Sequence, residues 1–169
     1  MSDVDQRFAP PNAYVEDVKA AGEAELASRG IRFLAVIVDA LVGGAIAWVL
    51  QYIPAYKALI LESNAADPIG LHVKSIVIGY LLFLLLHGWL LVTRGQTIGK
   101  LACGLRIVRS DGSKADAWRL LGLRYGLGYL LIMQMVIGMI YGLIDSLLIF
   151  RESRKCLHDT IADTKVIKL

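Results

Sequence analysis

The sequence predicts an all-α membrane protein of about four transmembrane or re-entrant helices with a small cytoplasmic β element of two strands. Three observations lead there. Hydrophobic residues make up 56% of a 169-residue chain, and the mean hydropathy is +0.57, more apolar surface than one soluble core of this size buries. Charged residues are only 20% of the chain and gather at the ends of the apolar runs instead of along amphipathic faces. Two short alternating segments, residues 104–109 and 164–169, read as strands that need each other as partners.

Residues 1–28 form a polar N-terminal arm without an apolar core, which is unlike a cleavable signal peptide. The membrane domain follows over residues 29–169. Its first helix is expected over about 31–53, long enough at roughly 1.5 Å per residue to cross a hydrocarbon core of about 30 Å. Asp39 is the acidic interruption. Residues 54–74, holding Asn64, Asp67, Pro68 and Gly70, read as a turn-rich loop. A second helix over about 75–93 carries His87 as its ionisable group and Trp89 near an interface. In the loop that follows, Arg94, Lys100, Arg106, Arg109 and Lys114 outweigh Asp111 and Asp116, which marks it as cytoplasmic.

Residues 118–150 would make a straight helix of roughly 50 Å, too long for one crossing. Two short helices over about 117–134 and 138–150, bent near Gln134 to Gly138, solve this and return the basic tail to the cytoplasm. Pairing of the two strands requires the same return. Three spans with an external tail is the alternative.

Some motifs have plain readings. Gly95-Gln96-Thr97-Ile98-Gly99-Lys100 resembles a phosphate loop, but a P-loop needs one more residue between the glycines and a Ser or Thr where Leu101 stands. A tight glycine turn at the interface is the expectation. Gly122 with Gly126, and Gly138 with Gly142, have the small-residue spacing that lets helices approach closely, within the chain or in a homo-oligomer. Cys103, Cys156, His158 and Asp159 lack paired zinc-ligand spacing, so no metal or cofactor is expected. Cys103 and Cys156 are read as reduced thiols. The net charge of +3 comes without a basic stripe, so the partner is the lipid bilayer and not nucleic acid.

The sharper signal is the set of ionisable groups inside apolar helices, each costing roughly 2.5–3.5 kcal/mol at a bilayer centre unless paired or hydrated. Asp39, His87, Arg124 and Asp145 all fall about 10 Å in from the cytoplasmic end. One expectation is that Asp39 and Asp145 face each other or share Arg124 and form, with His87, a site for Na+ or H+. The structural alternative is a self-neutralising polar knot.

The blocks ASRGIRFLAVIVDALV, GQTIGKLACGLRIVRSDGS and GLIDSLLIFRESRKCLHDTIADTKVI together resemble the RDD family of bacterial membrane proteins. That family is named for an Arg that begins the first membrane helix, an Asp within it and a later Asp. Arg32 and Asp39 match the first two; the third corresponds to Asp159 or to Asp145. The basic loop and tail put both termini on the cytoplasmic side, and the resemblance implies location in the bacterial inner membrane. It also implies a link to transport, with sodium/proton exchange ascribed to some members. It carries no catalytic residues, and no nucleophile and base stand together, so the chain is not read as an enzyme. Asp159 is expected to pair with Arg32 or to accept backbone N–H bonds from the Gly99 turn, and exchanging Arg32 and Asp159 should then restore a pair lost in either single variant. A small cation- or proton-coupled transporter, oligomeric because so few helices enclose little room, is the first functional reading. A non-catalytic accessory or assembly module that binds a partner protein is the second.

Overall fold

A computed structural model describes residues 25–61, 68–132 and 135–169. The expected arm over 1–24, the tip of the loop after the first helix and the centre of the expected bend at 133–134 lie outside the described residues. Helix α1 runs Arg29–Leu50, started by Ser28, whose hydroxyl accepts from the Ile31 N–H at 3.4 Å. Helix α2 (Pro54–Leu61) and helix α3 (Pro68–Arg94) occupy much of what the sequence marks as loop. The reason is that Pro54 and Pro68 each sit at a first helical position, where proline's missing N–H costs nothing.

Helix α3 ends at Gly95, whose φ of +67° makes the turn expected of the Gly95–Lys100 segment. Short helix α4 (Ile98–Ala102) leads to strand β1 (Leu105–Arg109), which pairs antiparallel with the C-terminal strand β2 (Thr164–Lys168). Leu105 faces Lys168 and Arg109 faces Thr164. The chain just before α1 joins the other edge of β2: Ala27 N–H donates to the Val166 carbonyl at 3.0 Å and Lys168 N–H to that of Glu25 at 2.9 Å. The Gly95 carbonyl accepts from the Ile107 N–H at 2.8 Å. The start of α1 and the end of α3 therefore meet at one sheet, and the two long helices leave it in the same direction.

Between the strands the chain goes out and back. Trp118–Gly126 is π-helical, with the Leu127 N–H reaching the Gly122 carbonyl five residues earlier, and continues into α5 (Leu127–Ile132). Helix α6 (Met135–Leu147), tightened by a 3₁₀ turn over Leu148–Phe150, packs against α5 and returns. The Arg29 guanidinium closes the circuit by donating to the carbonyls of Ile149 at 3.0 Å and Phe150 at 3.1 Å. A last short helix, α7 (Leu157–Ile161), precedes β2. Of the approximately four helices expected, α1 and residues 73–94 of α3, each 22 residues, have the length and apolarity to cross a membrane. The arms of the hairpin are shorter than the roughly 20 residues that a full crossing needs.

The packed interior sits at the sheet end, formed by Ala27, Ala35, Leu91, Leu105, Ile107, Ala115, Leu120 and Val166. Away from it the helices turn apolar side chains outward: Leu41, Trp48, Leu85, Met139 and Leu143 are exposed, Leu85 by 83%. Surfaces of this kind on helices of this length call for lipid or protein cover. Gly126 meets the Tyr80 hydroxyl of α3, so this glycine serves packing within the chain, whereas nothing lies within 4 Å of a side chain added at Gly142.

Helix α4 approaches α1 closely at Gly99. A Cβ on Gly99 would stand 2.0 Å from the Ala35 carbonyl oxygen, and α1 cannot retreat without opening the core at Ala35. Gly99→Ala is therefore expected to lower stability by about 3 kcal/mol. Gly44→Ala, where nothing lies within 4 Å, should be neutral or stabilising by up to about 1 kcal/mol because alanine favours helix. Unfolding of the two purified variants in a mild detergent, compared with the parent, checks the contrast.

Candidate functional site

Polar side chains within the helices and at their sheet end form two groups. The first centres on Asp159, which is wholly buried. Its Oδ2 accepts from Arg32 Nη2 at 2.6 Å and from the Cys156 N–H at 3.1 Å. Its Oδ1 accepts from Arg124 Nη1, which also donates to Thr164 Oγ1 at 2.6 Å. Arg32 Nη1 donates to the Arg154 carbonyl, and the same Nη2 that holds Asp159 lies 3.7 Å from Cys156 Sγ. Local structure makes this possible. Cys156 and Asp159 form the capping box of α7, which aims the carboxylate back at its own helix start. Leu120 and Arg124, four residues apart on one face of the π-helical turn, are both buried.

Burial works to raise the pKa of Asp159, but the guanidinium charges of Arg124 and Arg32 outweigh it and hold the carboxyl well below the usual carboxylate range. Burial pushes the Cys156 thiol up to about 11, so it stays protonated. His158 adds a neighbouring pair. Asp145 accepts from the His158 N–H and sits 2.8 Å from its Nδ1, while burial and then Arg124 hold this imidazole below its ordinary value. It is thus neutral at pH 7 and donates from Nδ1. Asp145, Cys156 and His158 offer three metal-type ligand atoms within 4.8 Å of one another, a cluster that sequence spacing concealed. Their occupation by Arg32 and by mutual hydrogen bonds disfavours a divalent cation there.

The second group belongs to Asp39. Its Oδ2 accepts from Thr97 Oγ1 and its Oδ1 from the Gly99 N–H, both at 2.6 Å. The carboxylate thus docks the first turn of α4 onto α1. His87 Nδ1 accepts from the Ile98 N–H at 3.3 Å. Asp39 and His87 also line a cleft of about 560 Å³ between α1 and α3, with Val36, Gly43, Phe83 and Tyr129 among its walls.

The four groups expected in one layer are therefore divided. Asp39 and Asp145 do not share Arg124, because Asp159 takes that guanidinium and His158 takes Asp145. The Gly99 N–H expected at Asp159 goes to Asp39 instead. Asp39 stays with His87, and Arg32 lies against Asp159. The exchange of Arg32 and Asp159 loses its rationale, since an arginine at 159 would face Arg124.

The chain that holds this arrangement of an arginine opening the first helix, an aspartate inside it and a second aspartate closing on that arginine matches a family model. The description of that model is "RDD family", and it matches residues 26–163. The chain belongs to the RDD family. With its apolar helices it is a membrane-associated member. A relative, "Uncharacterized protein YckC" of Bacillus subtilis (strain 168), is 38% identical over 81 residues, which cover 43% of this chain and 47% of that protein. The chain thus spans about half the length of the curated relative it matches. No solved structure matches. In this RDD protein the aspartate that meets Arg32 is Asp159, and Asp145 serves its neighbour His158.

Removing the Asp159 carboxylate leaves two guanidiniums buried with no anion between them. Asp159→Asn should cost about 3–5 kcal/mol near neutral pH. Because the folded pKa lies below the ordinary value of 3.8, the stabilisation is complete above that value. It falls away as the pH drops through it. Unfolding followed from pH 7 to pH 3 should show a steeper acid loss in the parent than in Asp159→Asn.

Proposed function

We propose that this RDD protein is a multi-pass, non-enzymatic protein of the bacterial cell membrane that binds Na+ or H+ at Asp39 and His87, as a small cation- or proton-coupled transporter. What supports the reading is one division of labour. Asp145 and Asp159 are each in contact with an Arg or His side chain, while Asp39, hydrogen-bonded to the neutral donors of Thr97 and Gly99, lines with His87 a cleft between the two long helices. A carboxylate placed so within apolar helices is a functional candidate by default.

Orientation follows from charge. Arg29, Arg94, Arg106, Arg109, Arg154 and Lys155 gather around the sheet end, and the positive-inside rule favours a cytoplasmic position for that end and for both termini. The hairpin formed by residues 118–150 then enters from the cytoplasmic side and returns to it. A homo-oligomer would supply walls that so few helices lack.

A second reading, an accessory module that binds a partner protein, draws support from the outward apolar face of α6 at Val136, Met139, Ile140 and Leu143. Proton and sodium flux in liposomes holding the purified protein separates the two. The transport reading expects flux that is lost in Asp39→Asn while both proteins remain folded. Absence of flux in a folded parent protein would leave the accessory reading.

A further inference from the structure

We infer that the cleft between α1 and α3 is a binding site for an amphiphilic organic cation, with an apolar body seated between the helices and a cationic head against Asp39. The inference rests on reading Asp39 as a cation-binding carboxylate, but not on transport. Four observations carry it.

The cleft, about 560 Å³, falls in the range of small-molecule sites and is too small for a whole helix. Its walls are apolar, with Val36, Ala40 and Ile46 of α1 facing Leu82 and Leu86 of α3. An occupant arriving from lipid therefore meets no polar barrier along its body.

Asp39 supplies the charge. Each carboxylate oxygen accepts one neutral donor, from Thr97 or Gly99, which leaves further lone pairs unused. Among the described residues no Arg, Lys or His lies within ion-pair distance of it. The buried Lys100 of α4 forms no such pair with it either. The other two carboxylates of the polar network, buried Asp159 and half-buried Asp145, have a cation or an imidazole in contact.

Aromatic rings line the same cleft. Phe83 and Tyr129 both line the cleft, with ring centroids 5.9 Å apart, and Phe83 meets the His87 ring at 4.9 Å, tilted by 46°. Ring faces attract cations, and their combination with a carboxylate suits an organic ammonium or phosphonium better than a hydrated sodium ion.

His87 completes the polar end as a neutral group. A neutral imidazole that accepts at Nδ1 carries its proton on Nε2. It adds no second charge to compete for Asp39. Gly43 and Gly44 of α1 keep the space open, since a side chain added at either meets nothing within 4 Å.

The test is equilibrium binding of radiolabelled tetraphenylphosphonium to the full-length protein in a nonionic detergent, with neutral triphenylphosphine oxide as competitor. The expected result is saturable binding, little displaced by the neutral compound. Asp39→Asn should weaken it about tenfold or more, the equivalent of about 1.4 kcal/mol. Gly43→Leu should fill the cleft and weaken it comparably while leaving Asp39 intact. If Asp39→Asn does not fold, Gly43→Leu carries the test. Equal affinity in the parent and Gly43→Leu, equal competition by the neutral compound, or no saturable binding overturns the inference. Sodium or proton flux dependent on Asp39 without tetraphenylphosphonium binding would remove this inference and keep the transport reading. Saturable binding without flux would do the reverse.

Discussion

A carboxylate with no accessible surface, held between two guanidiniums, joins three distant parts of the chain: Arg32 near the start of α1, Arg124 in the π-helical turn, and Asp159 in the C-terminal helix. Each charge alone would be costly at this depth, and together they compensate one another. Everything at the sheet end follows from bringing them together. The tail must return beside α1, so β2 can lie between β1 and the chain before α1. The segment between Trp118 and Phe150 must then go out and back.

That cluster also decides what Asp39 is free to do. With Arg124 held by Asp159, the carboxylate in α1 has, among the described residues, the hydroxyl of Thr97 and the N–H of Gly99 as donors. These two bonds dock α4 against α1, and Gly99 permits an approach that any side chain would block. One aspartate thus fixes the backbone and still faces the cleft. The other two belong to the anchoring network, which argues against a site built from all the buried charges at once.

Much of the architecture was legible from simple periodicities. The two long apolar runs, the strand pairing of Leu105–Arg109 with Thr164–Lys168, and the glycine turn at Gly95 rest on hydropathy, alternation and turn chemistry that act locally. What sequence spacing could not resolve was which charges meet. Depth along a helix places Asp39, His87, Arg124 and Asp145 in a common layer but says nothing of the direction each faces. The π-helical winding at Arg124 changes that direction without leaving a compositional mark. The capping box of Cys156 and Asp159 had a signal in its spacing, obscured because cysteine stands where serine or threonine is usual. Helices beginning at Pro54 and Pro68 were hidden for a similar reason, since proline reads first as a breaker and only secondly as a first-turn residue.

The central claim is that Arg32 and Arg124 act through one shared carboxylate, and a triple-mutant stability cycle tests it most directly. Unfolding free energies would be measured for Arg32→Met, Arg124→Met and Asp159→Leu, singly and in combination. The account predicts strong coupling of about 2 kcal/mol or more between Asp159 and each arginine, with the triple variant losing less stability than Asp159→Leu alone, since it leaves none of the three charges buried. Additive losses, with the triple variant the least stable of all, would contradict it.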